Sequence, residues 1–356
     1  MSTYVNVLVI LLLVKYALNQ WPELEDKNKQ TTFLVVSAIV LALFTGLRDQ
    51  YTGTDTNGYI NAFFRYRKYD SISEIMQLEV KNDEYGYALF TWLIGRFTDN
   101  VNIYFTILAG IFAYSLAKFI HKNSQNCFFS MILYYTVGMF SFQMTGMRQA
   151  LAMALLLFGV ECIKEKKLIK FLLIVWLAST FHRSAFSFLA AYPIAHMKIN
   201  FRNFSLYFLS TAFVIVFRSK ISAILGKFFG YEYELGNSVS DDMGGITVIG
   251  MLLLTIIVCY IFYKQVVVQN KFNTVFFNIT MASLIIYLLR YMIRIFERVS
   301  FYYQFAFIIL LPNVISAIPE PKTRRIVYVS AITLACLLFF YRAQIKGVSY
   351  YGFLYR

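Results

Sequence analysis

Charged residues are scarce in this sequence of 356 residues. Asp, Glu, Lys and Arg together make up 15% of the chain, whereas soluble globular proteins carry about 25%. Hydrophobic residues make up 59%, aromatic residues 19%, and the mean hydropathy is +0.58. This composition excludes a soluble enzyme, a disordered chain and a nucleic-acid-binding domain, because only a bilayer hides so much apolar surface.

Proline and cysteine are also few, and common catalytic motifs are missing. Five prolines and 17 glycines leave no room for a low-complexity linker, so residues 1–356 are predicted to form one integral membrane domain. The four cysteines have no metal-binding spacing and are expected to be buried. There is no Walker A, GxGxxG, HExxH, CxxC or GxSxG motif, which argues against ATP-driven transport and zinc proteolysis. No cofactor or metal is expected.

Long apolar runs dominate the chain, and they predict an all-α, polytopic membrane protein. A span needs about 20 apolar residues, and fewer if the segment is broken or does not cross fully. We count about thirteen helical segments, and therefore roughly 11–14 transmembrane or re-entrant helices. The runs are 3–20, 32–47, 85–97, 101–120, 127–145, 147–163, 168–180, 184–197, 202–217, 246–263, 274–290, 299–318 and 326–341.

The distribution of lysines predicts the orientation of these helices. The densest lysine cluster, at positions 164–170, is assigned to the cytoplasmic side by the positive-inside rule. Threading from there places segments 48–84 and 218–245 at the outer face. The placement of 48–84 holds if run 85–97 is a half helix and reverses if that run spans. At 13 residues, or about 20 Å, the run is short for a core of about 30 Å, which favours the outer face.

Lysine and arginine divide between the two faces. The inner loops carry twelve lysines and three arginines, whereas the outer segments carry five lysines and twelve arginines. A topology rule does not distinguish the two residue types, so the arginine excess needs another cause. A guanidinium binds phosphate bidentately through a fixed fork. We therefore expect an outward-facing site for an anionic ligand, with interfacial snorkelling to lipid headgroups as the alternative.

The first candidate motif is the polar stretch Gly46–Tyr59, which follows an apolar run directly. Its density of Gly, Thr and Asp favours turns with exposed backbone N–H groups that suit oxyanions. Arg48 is placed at the membrane face, and Thr54 and Asp55 belong to the same turn. Asp49 and Asp55 are also candidate metal ligands, or else Asp55 orients Arg48. A plain polar loop with Asx turns is the alternative.

The second motif is Phe142–Ala150, in which a charged residue interrupts a long apolar stretch. The pair Thr145-Gly146 allows the helix to break, so Arg148 and Gln149 are expected in the first turn of the next helix. An ionisable residue at membrane depth is costly and usually functional. A simple helix boundary is the alternative.

The third motif is Ser179–Ser184, at the tip of a short helical hairpin. From Lys170 to His182 a helix rises only about 18 Å, so the tip is expected to stop short of the outer surface. His182 is then placed at the floor of a cavity, with Arg183 beside it, where it can accept a proton near neutral pH. A satisfied structural histidine is the alternative.

The fourth motif is Arg290–Arg298. In a continuous helix, Arg290, Arg294 and Arg298 form one stripe at i, i+4 and i+8, and Glu297 lies beside Arg294. Three stacked cations repel one another, and an anion such as pyrophosphate between them relieves the repulsion. A solvated outer turn is the alternative.

On these residues the sequence resembles the EpsG family of polysaccharide polymerases, relatives of the Wzy O-antigen polymerases. The motifs cover about 40 residues, and the pattern usually has an uncharged residue where Arg183 stands. The matching pieces are Gly46-Leu47-Arg48, Gly53-Thr54-Asp55-Thr56 and Tyr59, Phe142-Gln143 through Met147-Arg148-Gln149, Leu151-Ala152, Phe181-His182, Ser184-Ala185 and Glu297-Arg298.

The resemblance implies an enzyme of the bacterial plasma membrane with a GT-C-like helical fold and an active site facing the exterior. Such enzymes transfer an oligosaccharide from undecaprenyl pyrophosphate onto a second lipid-linked repeat unit. The implied partners are these two substrates, membrane lipid and a chain-length regulator, with no nucleic acid. The alternatives are an O-antigen ligase, a flippase or exporter of lipid-linked sugars, and a multi-pass O-acyltransferase.

The mechanism we expect from this resemblance is an inverting, metal-independent displacement. His182 takes the proton of the acceptor hydroxyl, and Asp55 is the second choice for this base. The predicted residues that bind the donor pyrophosphate or the substrate are Arg148, Arg290, Arg294, Arg48, Arg298, Gln149, Arg183 and Thr54.

Overall fold

The computed structural model describes residues 3–199, 201–229, 243–293 and 295–345, and these residues form helices without any strand. The described helices are α1 Thr3–Asn19, α2 Asp26–Gly46, α3 Thr56–Tyr66, α4 Ile72–Met76, α5 Tyr85–Gly95, α6 Val101–Asn123, α7 Cys127–Thr136, α8 Met139–Thr145, α9 Met147–Lys164, α10 Leu168–Phe181, α11 Ala191–Ala195, α12 Phe201–Val216, α13 Arg218–Phe229, α14 Met243–Ile261, α15 Tyr263–Gln269, α16 Asn273–Leu289, α17 Ile295–Ser316 and α18 Pro321–Ile345.

Four of these helices are long and apolar enough to cross a membrane, namely α2, α6, α17 and the 321–341 part of α18. Three bent pairs, α7–α8, α12–α13 and α14–α15, raise the number to seven if each pair is one span. Three further apolar helices, α1, α10 and α16, have 14 to 17 residues. The prediction of a polytopic, all-α membrane protein is confirmed.

Helix α17 lies at the centre of the bundle. In an apolar stretch of 18 residues in α17, 89% is buried inside the protein. In the corresponding stretch of α18 only 17% is buried, so α18 lies at the periphery. Helix α17 packs along α16 and also contacts α7 and α14. Most of its apolar side chains are buried against these neighbours, which positions its first turn beside the start of α9 and the end of α16.

A buried polar network joins four helix ends at one end of this core. The amide nitrogen of Asn313 donates to the carbonyl of Asn123 (2.9 Å) and to Oδ1 of Asn273 (2.8 Å). Its oxygen accepts from the backbone N–H of Gln125 (2.7 Å). Asn123 also binds Glu161 of α9 (2.9 Å). Buried polar groups need hydrogen-bond partners, and here the partners lie on different helices. The bonds therefore hold the ends of α6 and α9 and the start of α16 against α17.

Helices α2 and α6 pack closely where α2 ends. A Cβ on Gly46 would lie 2.7 Å from the Cα of Thr106, so only glycine allows this approach. The side-chain amide of Asn102 then reaches the carbonyls of Gly46 (2.8 Å) and Arg48 (3.0 Å). This contact fixes where the chain leaves α2 and enters the polar stretch that follows.

Several predicted segments differ from the structure in detail. Run 127–145 is two helices, α7 and α8, bent by 58° at Gly138, whose φ is +92°. Run 184–197 is a 3₁₀ helix, Arg183–Ala190, followed by the short α11. Segment 48–84, for which only a position was predicted, contains α3 and α4, and segment 218–245 begins with α13. Residues 230–242 lie outside the described residues.

We predict that Gly46→Ala lowers the free energy of unfolding by about 1–3 kcal/mol, because the methyl group forces α2 away from α6. Thermal unfolding of the purified protein in detergent measures the effect. Gly110→Ala in the middle of α6 is the matched control, since a Cβ there meets nothing within 4 Å. Equal stability of the two variants would contradict the close packing.

Candidate functional site

A cavity of about 400 Å³ lies between α3, α5 and the first turns of α9 and α17. Its volume is in the range of about 300–1,000 Å³ that ligand pockets occupy. Its wall combines cations, carboxylates and tyrosine rings. The lining residues are Thr54, Asp55, Gly58, Tyr59, Ala62, Tyr66, Val80, Glu84, Tyr87, Arg148 and Arg298.

The polar stretch before α3 forms one side of the cavity. Oδ1 of Asp49 accepts from the backbone N–H of Tyr51 (3.0 Å) and from the hydroxyl of Thr52 (2.7 Å), so Asp49 makes an Asx turn. The hydroxyl of Thr56 donates to the carbonyl of Thr52 (2.5 Å) and closes the turn into α3. Asp55 directly precedes α3, is exposed and lines the cavity.

Helix α3 presents tyrosine rings to the cavity. Tyr59, Phe63 and Tyr66 share one buried face at i, i+4 and i+7, and the ring of Phe63 stacks on Tyr104 of α6 (4.6 Å between centroids). The hydroxyl of Tyr59 donates to the carbonyl of Thr145 (3.1 Å), and the hydroxyl of Tyr87 bonds that of Tyr104 (2.8 Å). With these hydroxyls engaged in the protein, Tyr59 and Tyr87 offer mainly ring surface to a ligand.

The helix break at Gly146 positions Arg148. Helix α8 ends at Thr145, and Gly146 has the non-helical angles φ −102° and ψ 54°. Arg148 therefore lies in the first turn of α9, as the sequence predicted. Its Nη1 donates to Oε2 of Glu84 at 2.5 Å, and its guanidinium lies 5.9 Å from the centre of the Tyr87 ring.

Glu84 is the residue that the sequence analysis missed. Its carboxylate is 1% exposed and accepts three bonds: from Arg148, from Nδ1 of His182 (2.8 Å), and from the backbone N–H of Arg183 (3.2 Å). Burial raises the pKa of this carboxyl, but the hydrogen bond and charge of His182 and the charge of Arg148 hold the pKa below its usual value. The ionised group thus contributes stability at neutral pH, which is lost as the pH falls through this lowered pKa.

His182 does not line the cavity itself but lies behind Glu84, which does. It lies between α10 and the 3₁₀ helix with the extended angles φ −155° and ψ 114°, and it is 5% exposed. The side chain of the neighbouring Arg183 pairs with Asp83 at 3.5 Å. The short hairpin therefore delivers both predicted residues to Glu84 rather than to the cavity wall itself.

The first turn of α17 contributes Arg298 to the cavity. The side-chain amide of Gln149 donates to the backbone carbonyl of Arg298 at 2.7 Å, which ties this turn to the start of α9. Gln149 is buried and is not among the lining residues. In the structure, Gln149 holds Arg298 in place.

The predicted stripe of three arginines is wrong as a continuous helix. Helix α16 ends at Leu289 and α17 begins at Ile295, so a turn separates Arg290 from Arg298. Arg290 is 3% exposed, and its Nη1 contacts the Tyr287 hydroxyl (2.9 Å) and Oε1 of Glu297 (3.3 Å). Glu297 therefore pairs with Arg290. Arg294 lies outside the described residues.

Arg48 is also not among the residues that line the cavity. It is fully buried, its Nη1 donates to the carbonyl of Met144 (2.5 Å), and its Nη2 contacts the sulfur of Met147 (3.0 Å). Its guanidinium stacks 4.5 Å from the centre of the Phe105 ring. Arg48 thus holds the broken connection between α8 and α9, which in turn positions Arg148.

The structure brings together most of the residues that the sequence singled out. Thr54, Asp55, Arg148 and Arg298 line the cavity. His182 and Arg183 do not line the cavity but are hydrogen-bonded to Glu84, which does. Arg48 and Arg290 are not among the lining residues. Within the described residues, no group of three His, Cys, Asp or Glu side chains could hold a metal ion, and Asp49 instead makes the Asx turn.

Fold and site together define a polytopic helical membrane protein with a cavity lined by arginines, carboxylates and tyrosine rings. The family model of EpsG matches residues 31–354, nearly the whole chain, and the protein belongs to the EpsG family. This is a Wzy-like family of polysaccharide polymerases. No curated protein and no solved structure matches the chain significantly.

We predict that Arg48 acts on stability rather than on ligand binding. Arg48→Ala leaves a void and an unpaired carbonyl on Met144, and it should lower the free energy of unfolding by about 2–4 kcal/mol. Arg65→Ala is the control, because Arg65 is an exposed arginine on α3. Thermal unfolding in detergent compares them. Unchanged stability of Arg48→Ala together with lost activity would favour the anion-binding role instead.

Proposed function

We propose that this protein is a polysaccharide polymerase that acts on undecaprenyl-pyrophosphate-linked repeat units at the outer face of the bacterial plasma membrane. Membership of the EpsG family supports the general role. The observation that carries the proposal is the cavity, which Arg148 and Arg298 line together with Tyr59, Tyr66 and Tyr87. Cations suit a pyrophosphate and aromatic rings suit the apolar faces of sugars.

In the proposed reaction, the donor's pyrophosphate binds against Arg148 and Arg298. The acceptor hydroxyl oxygen forms a bond to the reducing-end carbon of the donor sugar, and the bond from that carbon to the pyrophosphate oxygen breaks. The electron pair goes to undecaprenyl pyrophosphate, whose growing charge the two guanidinium groups stabilise. A GT-C-like fold is part of this proposal.

The acceptor proton needs a base, and two groups are near. Nδ1 of His182 is hydrogen-bonded to the carboxylate of Glu84, an arrangement that leaves Nε2 to accept a proton. Asp55 lies directly on the cavity wall. We assign the proton to His182, directly or through one water, and assign Asp55 to hold the acceptor sugar by its hydroxyl groups.

We predict that Arg148→Lys abolishes polymerisation in cells that lack the native protein. Lysine keeps a charge beside Glu84 but lacks the planar fork that binds phosphate bidentately. Gel analysis of the surface polysaccharide should show a product with one repeat unit in place of a ladder. Arg65→Lys, an exposed arginine of α3, is the control and should restore the ladder, with protein levels compared by immunoblot.

Other patterns on the same gel would overturn the assignment. Loss of every repeat unit from the final acceptor in cells without the protein would indicate a ligase or a flippase. An unchanged ladder in those cells would show that the protein is not the polymerase.

The choice of base is tested with purified protein and a lipid-linked repeat unit. His182→Gln should lower kcat on the order of 10²–10⁴-fold, the usual contribution of a general base. Asp55→Asn should mainly raise KM for the acceptor, because it removes a binding contact. The reverse pattern, with kcat lost in Asp55→Asn and retained in His182→Gln, would transfer the role of base to Asp55.

A further inference from the structure

Glu84 connects the two groups to which the proposed reaction assigns separate tasks. One carboxylate oxygen, Oε2, accepts from Arg148 at 2.5 Å, and the other, Oε1, accepts from Nδ1 of His182 at 2.8 Å. The backbone N–H of Arg183 also donates to Oε1, at 3.2 Å. Arg148 and the Arg183 amide can only donate, so each oxygen of Glu84 is committed as an acceptor.

The chain is built to bring this carboxylate inward. The two residues before it, Asn82 and Asp83, both adopt left-handed conformations, with φ of +59° and +56°. Such conformations cost energy in residues other than glycine, and they often mark functional sites. They turn the chain so that Glu84, at 1% exposure, faces away from solvent while the side chain of Asp83 remains 77% exposed.

A close helix contact holds the same turn against His182. Gly86, in the first turn of α5, lies against Thr180 at the end of α10, and a Cβ on Gly86 would lie 3.0 Å from the carbonyl carbon of Thr180. Glu84 lies two residues before Gly86, and His182 lies two residues after Thr180. Their separation is thus set by backbone packing, and it does not depend on flexible side chains alone.

Because Oε1 of Glu84 is a hydrogen-bond acceptor, it decides which nitrogen of the His182 imidazole carries the proton. An ionised carboxylate offers no hydrogen, so Nδ1 of His182 must be the donor. In the neutral ring Nε2 is then the acceptor, which is the form that can take a proton from a hydroxyl group. Neutral histidine free in water favours the opposite tautomer, with the proton on Nε2.

We propose that Glu84 is the positioning residue of this site: it holds His182 as the Nδ1–H tautomer and anchors the guanidinium of Arg148 at the cavity. The catalytic consequence rests on the proposed function, whereas the tautomer does not. The arrangement has the logic of a carboxylate that orients a histidine base and a neighbouring cation together. Glu84 itself takes no proton from the substrate.

The tautomer is measured by nitrogen-15 NMR of histidine-labelled protein in detergent micelles. The chain has three histidines, so the His182 signals are assigned from their loss in His182→Gln. Wild-type protein should show His182 with a protonated Nδ1 and a bare Nε2 in spectra recorded where the ring is neutral, with the pH raised until its two nitrogen signals no longer change. A wild-type signal with the proton on Nε2 would overturn the proposal, without any need for a variant.

Glu84→Gln tests the cause. Arg148 requires an acceptor, so the glutamine oxygen should face Arg148 and its NH₂ group should face His182. Nδ1 must then accept, and the tautomer should reverse. Asp83→Asn is the matched control: it removes the adjacent carboxylate, keeps a residue type that tolerates positive φ, and should preserve the Nδ1–H form.

Activity provides the second readout. Glu84→Gln should lower kcat on the order of 10²–10⁴-fold, as expected for a base held in the wrong tautomer. A purely structural role would lower thermal stability and leave the His182 tautomer of the folded fraction unchanged, which would refute the proposal. If Arg148→Lys and His182→Gln both polymerise normally, the roles assigned to Arg148 and His182 fail. An unchanged ladder in cells without the protein would refute the proposed function itself, and the tautomer result is independent of both outcomes.

Discussion

The candidate site depends on the contacts that the buried carboxylate of Glu84 makes with Arg148 and His182. A charge that is 1% exposed is tolerable only when it is paired and hydrogen-bonded. Arg148 and His182 meet this need from helices that are distant in sequence, so the pairing joins α5, α9 and α10 at one point. The helix break before Arg148 and the short hairpin before His182 both serve to reach this carboxylate.

The arginines of this chain have different tasks. Arg148 and Arg298 line the cavity, Arg290 is held between tyrosines and Glu297, and Arg48 braces the connection of α8 to α9. The arginines that the sequence analysis assigned to the outer face therefore do not form one uniform anion-binding surface. A buried arginine that positions a neighbouring turn contributes to the site indirectly, and its loss affects folding before it affects binding.

The combination of cations with tyrosine rings gives the cavity a mixed character. Because the hydroxyls of Tyr59 and Tyr87 are engaged in the protein, the rings provide apolar surface. Arg148 and Arg298 provide charge beside it. A ligand with a pyrophosphate at one end and sugar rings next to it would satisfy both parts of this wall, in agreement with a family of polysaccharide polymerases.

The sequence by itself determined the helical, membrane-embedded class, because hydropathy and helix length depend on local composition. It also determined the break at Thr145-Gly146, the position of Arg148 in the next turn and the short hairpin before His182. Only the tertiary structure decided that Glu84 is buried: in sequence it ends a polar stretch that resembles a solvated loop. The structure likewise divided Arg290 from Arg298 by a turn that no glycine or proline marks. These features depend on which distant side chains meet, and local sequence patterns carry no record of that.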